Sequence, residues 1–222
     1  MHLSQRIYLE STVWYQMANY ASSEFKNRAE ELFGLIEEER YTVYVSNVVL
    51  EEIAHDAPKY RERVEELMRK YKPLVIMQHP DADDVAMAYM ENAFARRKDH
   101  HCIVDAFHAA VAVTSNITYM ATYNYRNLLN VRILEHINAV NLLAGLNRHL
   151  SVYPPFMFLD LDNYDGEKGT VHKAVWKAKS AYGKKLAALL EKKPEKRLKH
   201  HETVTTKAAR NLGLEIIRLT DL

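Results

Sequence analysis

The feature that most restricts what this chain can fold into is an alternation running through residues 1–158: short β-branched or aromatic segments are followed by longer ones with apolar residues three and four apart. A parallel strand is reached only through a crossover, commonly a helix, so this alternation leads to a mostly parallel sheet covered by helices. Strands are expected at Arg6–Glu10, Thr42–Val45, Leu74–Met77 and Ile117–Ala121. Between them, Phe25, Ala29, Leu32, Phe33 and Ile36 give one apolar helical stripe, and Ser46 is placed to cap a helix carrying Val49, Leu50 and Ile53. Residues 61–72 continue as a charged helix. Pro80 with Asp81, Asp83 and Asp84 opens another, where acids favour the macrodipole. Arg96–His101 reads as a loop, and residues 104–113 as a helix of small apolar residues able to lie close to a sheet. A further helix is expected over 136–144. The fold class expected is a three-layer α/β domain.

Charge divides the chain at a different place from its hydrophobic pattern. The formal net charge of +1 conceals 16 basic against 22 acidic residues over 1–164, and 14 basic against 7 acidic over 165–222. The compact region is expected to end near Pro154-Pro155, giving a domain at 1–158, a polar linker at 159–170 and a basic, mainly helical extension at 171–222. Cys102 is the only cysteine and makes no intrachain disulfide. No run approaches the roughly 18 apolar residues of a membrane span, and no charged-then-apolar leader opens the chain, so the cytoplasm is the expected compartment and no membrane role is expected.

Four polar residues fall at ends of elements. Glu10 closes the first strand, Glu52 lies one turn into the helix after the second, Asp105 opens the small apolar helix, and Asn124 follows the strand ending at Ala121. Strand C-termini and adjoining helix N-termini share one edge of a parallel α/β sheet, so these side chains are expected to converge there. Converged carboxylates repel and are costly to desolvate unless a cation compensates them. The compensation expected is Mg²⁺ or Mn²⁺ held by Glu10, Glu52 and Asp105, with Asn124 as a neutral member. Glu51 competes with Glu52 for the inward position, and Asp105 could serve as a helix cap as well as a ligand.

The order Ile7-Tyr8-Leu9-Glu10-Ser11-Thr12, Val45-Ser46 through Glu52-Ile53, Asp105-Ala106-Phe107-His108-Ala109-Ala110 and Thr122-Tyr123-Asn124-Tyr125-Arg126-Asn127 resembles the PIN-domain family, the VapC-like toxins and their relatives, over residues 6–158. The resemblance implies a ribonuclease that hydrolyses RNA phosphodiester bonds with a metal-activated water, a small antitoxin partner and a homodimer. Glu10 stands where the family usually has Asp, and Asn124 represents the variant with Asn for Asp. The charged set suits one metal better than a tight pair.

Other residues complete the reading. Ser11 and Arg126 are candidate substrate contacts. His100, His101, His108 and Cys102 lack any standard zinc spacing. Tyr123 and Tyr125 could stack on bases or simply pack. The lysines of 173–199 could neutralise phosphates or form a solvated face. The alternative to a nuclease is an impaired scaffold of the same fold that binds RNA or protein.

Overall fold

The computed structural model describes residues 5–19, 21–95, 100–146, 148–159 and 206–217. Its centre is a six-stranded, wholly parallel sheet. In chain order the elements are β1 (Gln5–Leu9), α1 (Ser11–Ala18), α2 (Glu24–Glu37), β2 (Tyr41–Ser46), α3 (Asn47–His55), α4 (Pro58–Tyr71), β3 (Leu74–Ile76), α5 (Ala82–Asn92), α6 (His100–Thr114), β4 (Tyr119–Ala121), α7 (Val131–Leu143), β5 (Ser151–Tyr153), a 3₁₀ turn (Pro155–Leu159) and β6 (Ile216–Ile217).

The strand order is β5-β4-β1-β2-β3-β6. From β1 the chain steps through β2 to β3 in one direction, whereas β4 and β5 lie on the other side of β1. Parallel crossovers are right-handed, so the two directions of travel put α1–α4 on one face and α5–α7 on the other. Packing agrees: α1 lies against α2 and α4, and α5 against α6 and α7. The result is the expected three-layer α/β fold.

Burial follows the alternation. Ile7, Tyr8 and Leu9 of β1 are all fully buried, as a central parallel strand covered on both faces must be. Trp14 and Phe33 meet edge to face at 5.2 Å under one face. On the other, Ala106, Ala109, Ala110 and Ala112 give α6 the slim profile that lets it sink into the core.

Several boundaries differ from expectation. Residues 11–18, for which the periodicity assigned no element, form α1, because the Glu10 side chain accepts the Thr12 amide and caps the first turn. Ser11 is therefore the first residue of a helix. His100 and His101 belong to α6 and not to a loop, so Asp105 lies in the second turn and is no cap. The α7 helix begins at Val131, capped by the Asn130 side chain, five residues before the expected start. The extension does not stand wholly apart: β6 pairs with β3, and Ala209 and Leu214 are buried in the main core. The expected linker beyond Leu159, with residues 171–205 and 218–222 of the expected basic extension, lies outside the described residues.

Candidate metal centre

The strand order reverses between β1 and β4, and the carboxyl ends of strands flanking such a reversal are where ligands bind in open α/β sheets. Glu10 follows β1 and Thr122 follows β4, and the two meet there: the Thr122 hydroxyl donates to Glu10 Oε2 at 2.8 Å. The same oxygen accepts the Thr12 amide at 3.1 Å and the Thr12 hydroxyl. Oε1 accepts the Ser11 hydroxyl at 2.8 Å. A carboxylate only 3% exposed, and so denied bulk water, is thereby satisfied by protein donors.

Two further groups reach this point from α3 and α6. His108, fully buried, sets Nε2 at 2.8 Å from Glu52 Oε2 and 3.8 Å from Glu10 Oε1. Its Nδ1 is 2.7 Å from the Tyr8 hydroxyl, itself 2.7 Å from Ser46 Oγ, which accepts the Val48 amide at the start of α3. One ligand atom from each of Glu10, Glu52 and His108 lies within 4.8 Å of the others, so among the described residues these three could hold a metal ion. Glu52, and not Glu51, faces the site. It also borders a cavity of about 600 Å³ whose wall includes Glu51, His55, His100 and His101.

Asp105 and Asn124 come together as expected, but as a separate group one helical turn away. Asp105 Oδ1 accepts the Asn124 side-chain amide at 2.8 Å and Oδ2 accepts that of Asn127 at 2.6 Å. Asn124 in turn accepts the Asn127 backbone amide at 3.1 Å, which closes the turn. Asp105 is 4% exposed and falls outside the three-residue group. Arg126 is exposed on the turn between the two asparagines. Cys102 is buried beside Asn127, 3.7 Å from its amide nitrogen, and is no part of the cluster.

Ionisation follows from these contacts. Burial alone would lower the His108 pKa. The hydrogen bond and charge of Glu52, with the charges of Glu10 and Asp105, outweigh it and hold the imidazole above its ordinary value. For Glu52 burial acts upward, but the His108 contact brings the carboxyl below its usual range. Asp105 is pushed up to about 6 by burial, against the amide bonds of Asn127 and Asn124. The Glu52 carboxylate and the His108 imidazole thus favour each other's charged forms across their 2.8 Å contact.

The sequence signal for His108 lies in its spacing: it follows Asp105 by three on a helix, the same face one turn along, in an otherwise small apolar run. Reading histidines only for zinc-and-cysteine patterns passes over it. The donor set of two carboxylates and one imidazole fits a divalent cation. Comparison of the chain with protein-family models, with curated proteins and with solved structures found no match.

Proposed function

We propose that this protein is a metal-dependent ribonuclease that hydrolyses RNA phosphodiester bonds, with Glu10, Glu52 and His108 holding the ion and Asp105 and Asn124 beside them. The observation that carries the reading is the meeting of Glu10, Glu52 and His108 at the strand-order reversal. A Mg²⁺ or Mn²⁺ ion there would lower the pKa of a bound water and stabilise the charge that develops on the phosphoryl oxygens. In the hydrolysis, water adds to phosphorus, the bond from phosphorus to the leaving ribose oxygen breaks, and a proton passes to that oxygen.

The chain's residues divide the remaining work. Ser11, Thr12 and Thr122 orient Glu10 by donating to it. Asn124 and Asn127 hold the Asp105 carboxylate by one oxygen each, and with its pKa near 6 the group exchanges a proton close to neutrality, as a general base or acid must. Arg126, exposed beside Asn124, is the phosphate contact in this reading. The excess of 22 acidic over 16 basic residues in 1–164 discourages RNA, and the 14 basic residues of 165–222 supply the opposite charge. On the family resemblance, a small antitoxin and a second copy of the chain are the partners proposed.

The test is cleavage of single-stranded RNA with Mn²⁺ or Mg²⁺ and with EDTA, comparing the wild type with Asp105→Ala. Cation-dependent cutting that falls about 100-fold or more in the variant is expected. No cutting with either cation, or equal cutting by the variant, would leave the second reading: a non-catalytic scaffold that binds RNA or protein. That reading is favoured by one observation, the 2.8 Å His108–Glu52 contact, which compensates the carboxylate without any metal. Glu10→Asp asks whether the longer side chain limits activity, since a gain on shortening would locate the deficit there.

A further inference from the structure

We infer that the Glu10–Glu52–His108 cluster takes a transition-metal cation of the Mn²⁺-to-Zn²⁺ range in preference to Mg²⁺, with His108 Nε2 as a metal ligand. The inference rests on the reading of this cluster as a metal centre, and it sharpens which ion the centre selects.

The first argument is the composition of the donor set. Mg²⁺ is a hard cation that seeks oxygen and near-ideal octahedral geometry, whereas imidazole nitrogen favours the later first-row divalent ions. An all-oxygen set would need Asp105 in place of His108. Both Asp105 oxygens already accept an amide N–H, at 2.8 and 2.6 Å, and the residue lies outside the group whose ligand atoms gather within 4.8 Å. The third donor at hand is a nitrogen.

The second argument is that His108 is oriented as a ligand. Metal on Nε2 requires the ring proton on Nδ1, and every partner along that side accommodates it. In that tautomer Nδ1–H donates to the Tyr8 oxygen over 2.7 Å and the Tyr8 hydroxyl is free to donate to Ser46 Oγ over 2.7 Å. Ser46 Oγ also accepts the Val48 amide at 3.2 Å. All of these groups but the amide sit on buried side chains of β1, β2 and α6, so the ring cannot swing away without stranding polar atoms. Such outer partners fix the tautomer and orientation of metal-bound histidines generally.

The third argument is spacing. Bonds of about 2.0–2.2 Å put neighbouring ligand atoms roughly 3–3.5 Å apart. Nε2 stands 2.8 Å from Glu52 and 3.8 Å from Glu10, either side of that range. Glu10 Oε2 is engaged by three donors, which leaves Oε1, with one donor and facing Nε2, as its single ligand atom. Glu52 is the adjustable partner: it is 32% exposed and, of the three, the one that borders the cavity.

Titration calorimetry of the full chain with Mn²⁺, Zn²⁺ and Mg²⁺ in turn tests this. Affinity is expected to run Zn²⁺ above Mn²⁺ above Mg²⁺, with Mn²⁺ at least about 10-fold tighter than Mg²⁺. Spin-echo spectra of the Mn²⁺-loaded wild type should carry ¹⁴N coupling from a bound imidazole. His108→Asn, with folding checked by circular dichroism, should abolish that coupling and bring Mn²⁺ and Mg²⁺ affinities within a few-fold of each other. Glu52→Gln, which leaves the imidazole in place, should weaken Mn²⁺ and Mg²⁺ together and keep the coupling. Equal Mg²⁺ and Mn²⁺ affinity in the wild type, absence of ¹⁴N coupling, or failure to bind any of the three ions overturns the inference. RNA that stays intact while the binding order and coupling hold would instead defeat the nuclease reading alone.

Discussion

Two carboxylates of this protein are almost equally buried, Glu10 at 3% and Asp105 at 4% exposure, yet they are treated in opposite ways. Glu10 sits among hydroxyls and faces a histidine that brings positive charge, with Glu52 beside it. Asp105 takes its hydrogen bonds from two asparagine amides, neutral donors, and feels the His108 charge only at longer range, without direct contact. The difference decides what each can do. A carboxylate facing a removable positive charge can accept a metal in its place, whereas one whose burial outweighs its two amide bonds is raised to about pKa 6 and becomes a proton carrier.

The largest test of that contrast is His108→Ala. It leaves Glu10 and Glu52 adjacent with no cation and opens a cavity, so unfolding by urea should show a loss of about 3–5 kcal/mol, of which added Mn²⁺ restores part. A loss under about 1 kcal/mol would mean that the histidine does not balance the pair.

Next comes the pH profile of stability without metal. Asp105, ordinarily near 3.8, is raised to about 6, so the folded state binds its proton the more tightly. That contribution is fully present below 3.8 and is lost as pH rises through about 6. His108, raised above 6.5, acts in the same direction: full below 6.5 and lost above it. Glu52, held below 4.5, acts oppositely, present above 4.5 and lost as pH falls through its folded value. Stability is therefore expected to be greatest in the mildly acid range and to fall toward pH 8, by up to about 1.4 kcal/mol per unit for each titrating group. A profile that rises from pH 6 to 8 would contradict these assignments.

The smallest effect is expected at the other carboxylate. Asn127→Ala removes one neutral donor and leaves Asp105 Oδ2 without it, costing about 1–3 kcal/mol in the same urea measurement. Mn²⁺ affinity should change little. An equal loss of Mn²⁺ binding would merge the two groups into one site.

Much of this arrangement was legible in the sequence, for identifiable reasons. Strands β1 to β4 and most helices follow from periodicity, because a parallel sheet buried on both faces leaves uniformly apolar runs, whereas β5, three residues long before Pro154-Pro155, reads only as the end of the compact region. Glu10, Glu52, Asp105 and Asn124 were found because all lie where strand ends and helix starts share an edge. What escaped was set by contacts remote in sequence. The α1 helix depends on capping by a glutamate, an unusual N-cap that composition does not flag. The division of the four residues into two groups depends on Asn127 and His108, which differ from Asn124 and Asp105 by three residues each, and on Tyr8 and Ser46, brought in from β1 and β2. Residues 214–219 read locally as a strand, but the pairing of 216–217 with β3 at the sheet edge is long-range and no local pattern encodes it.

The claim at the centre of this account is that Glu10, Glu52 and His108 form one metal centre. Crystals of the protein soaked in Mn²⁺, with anomalous scattering recorded near the manganese edge, test it most directly. The expected map has one peak bonded to a Glu10 oxygen, a Glu52 oxygen and His108 Nε2, with Glu52 moved off the imidazole. A map with no peak there, and His108 still seated on Glu52, would contradict it.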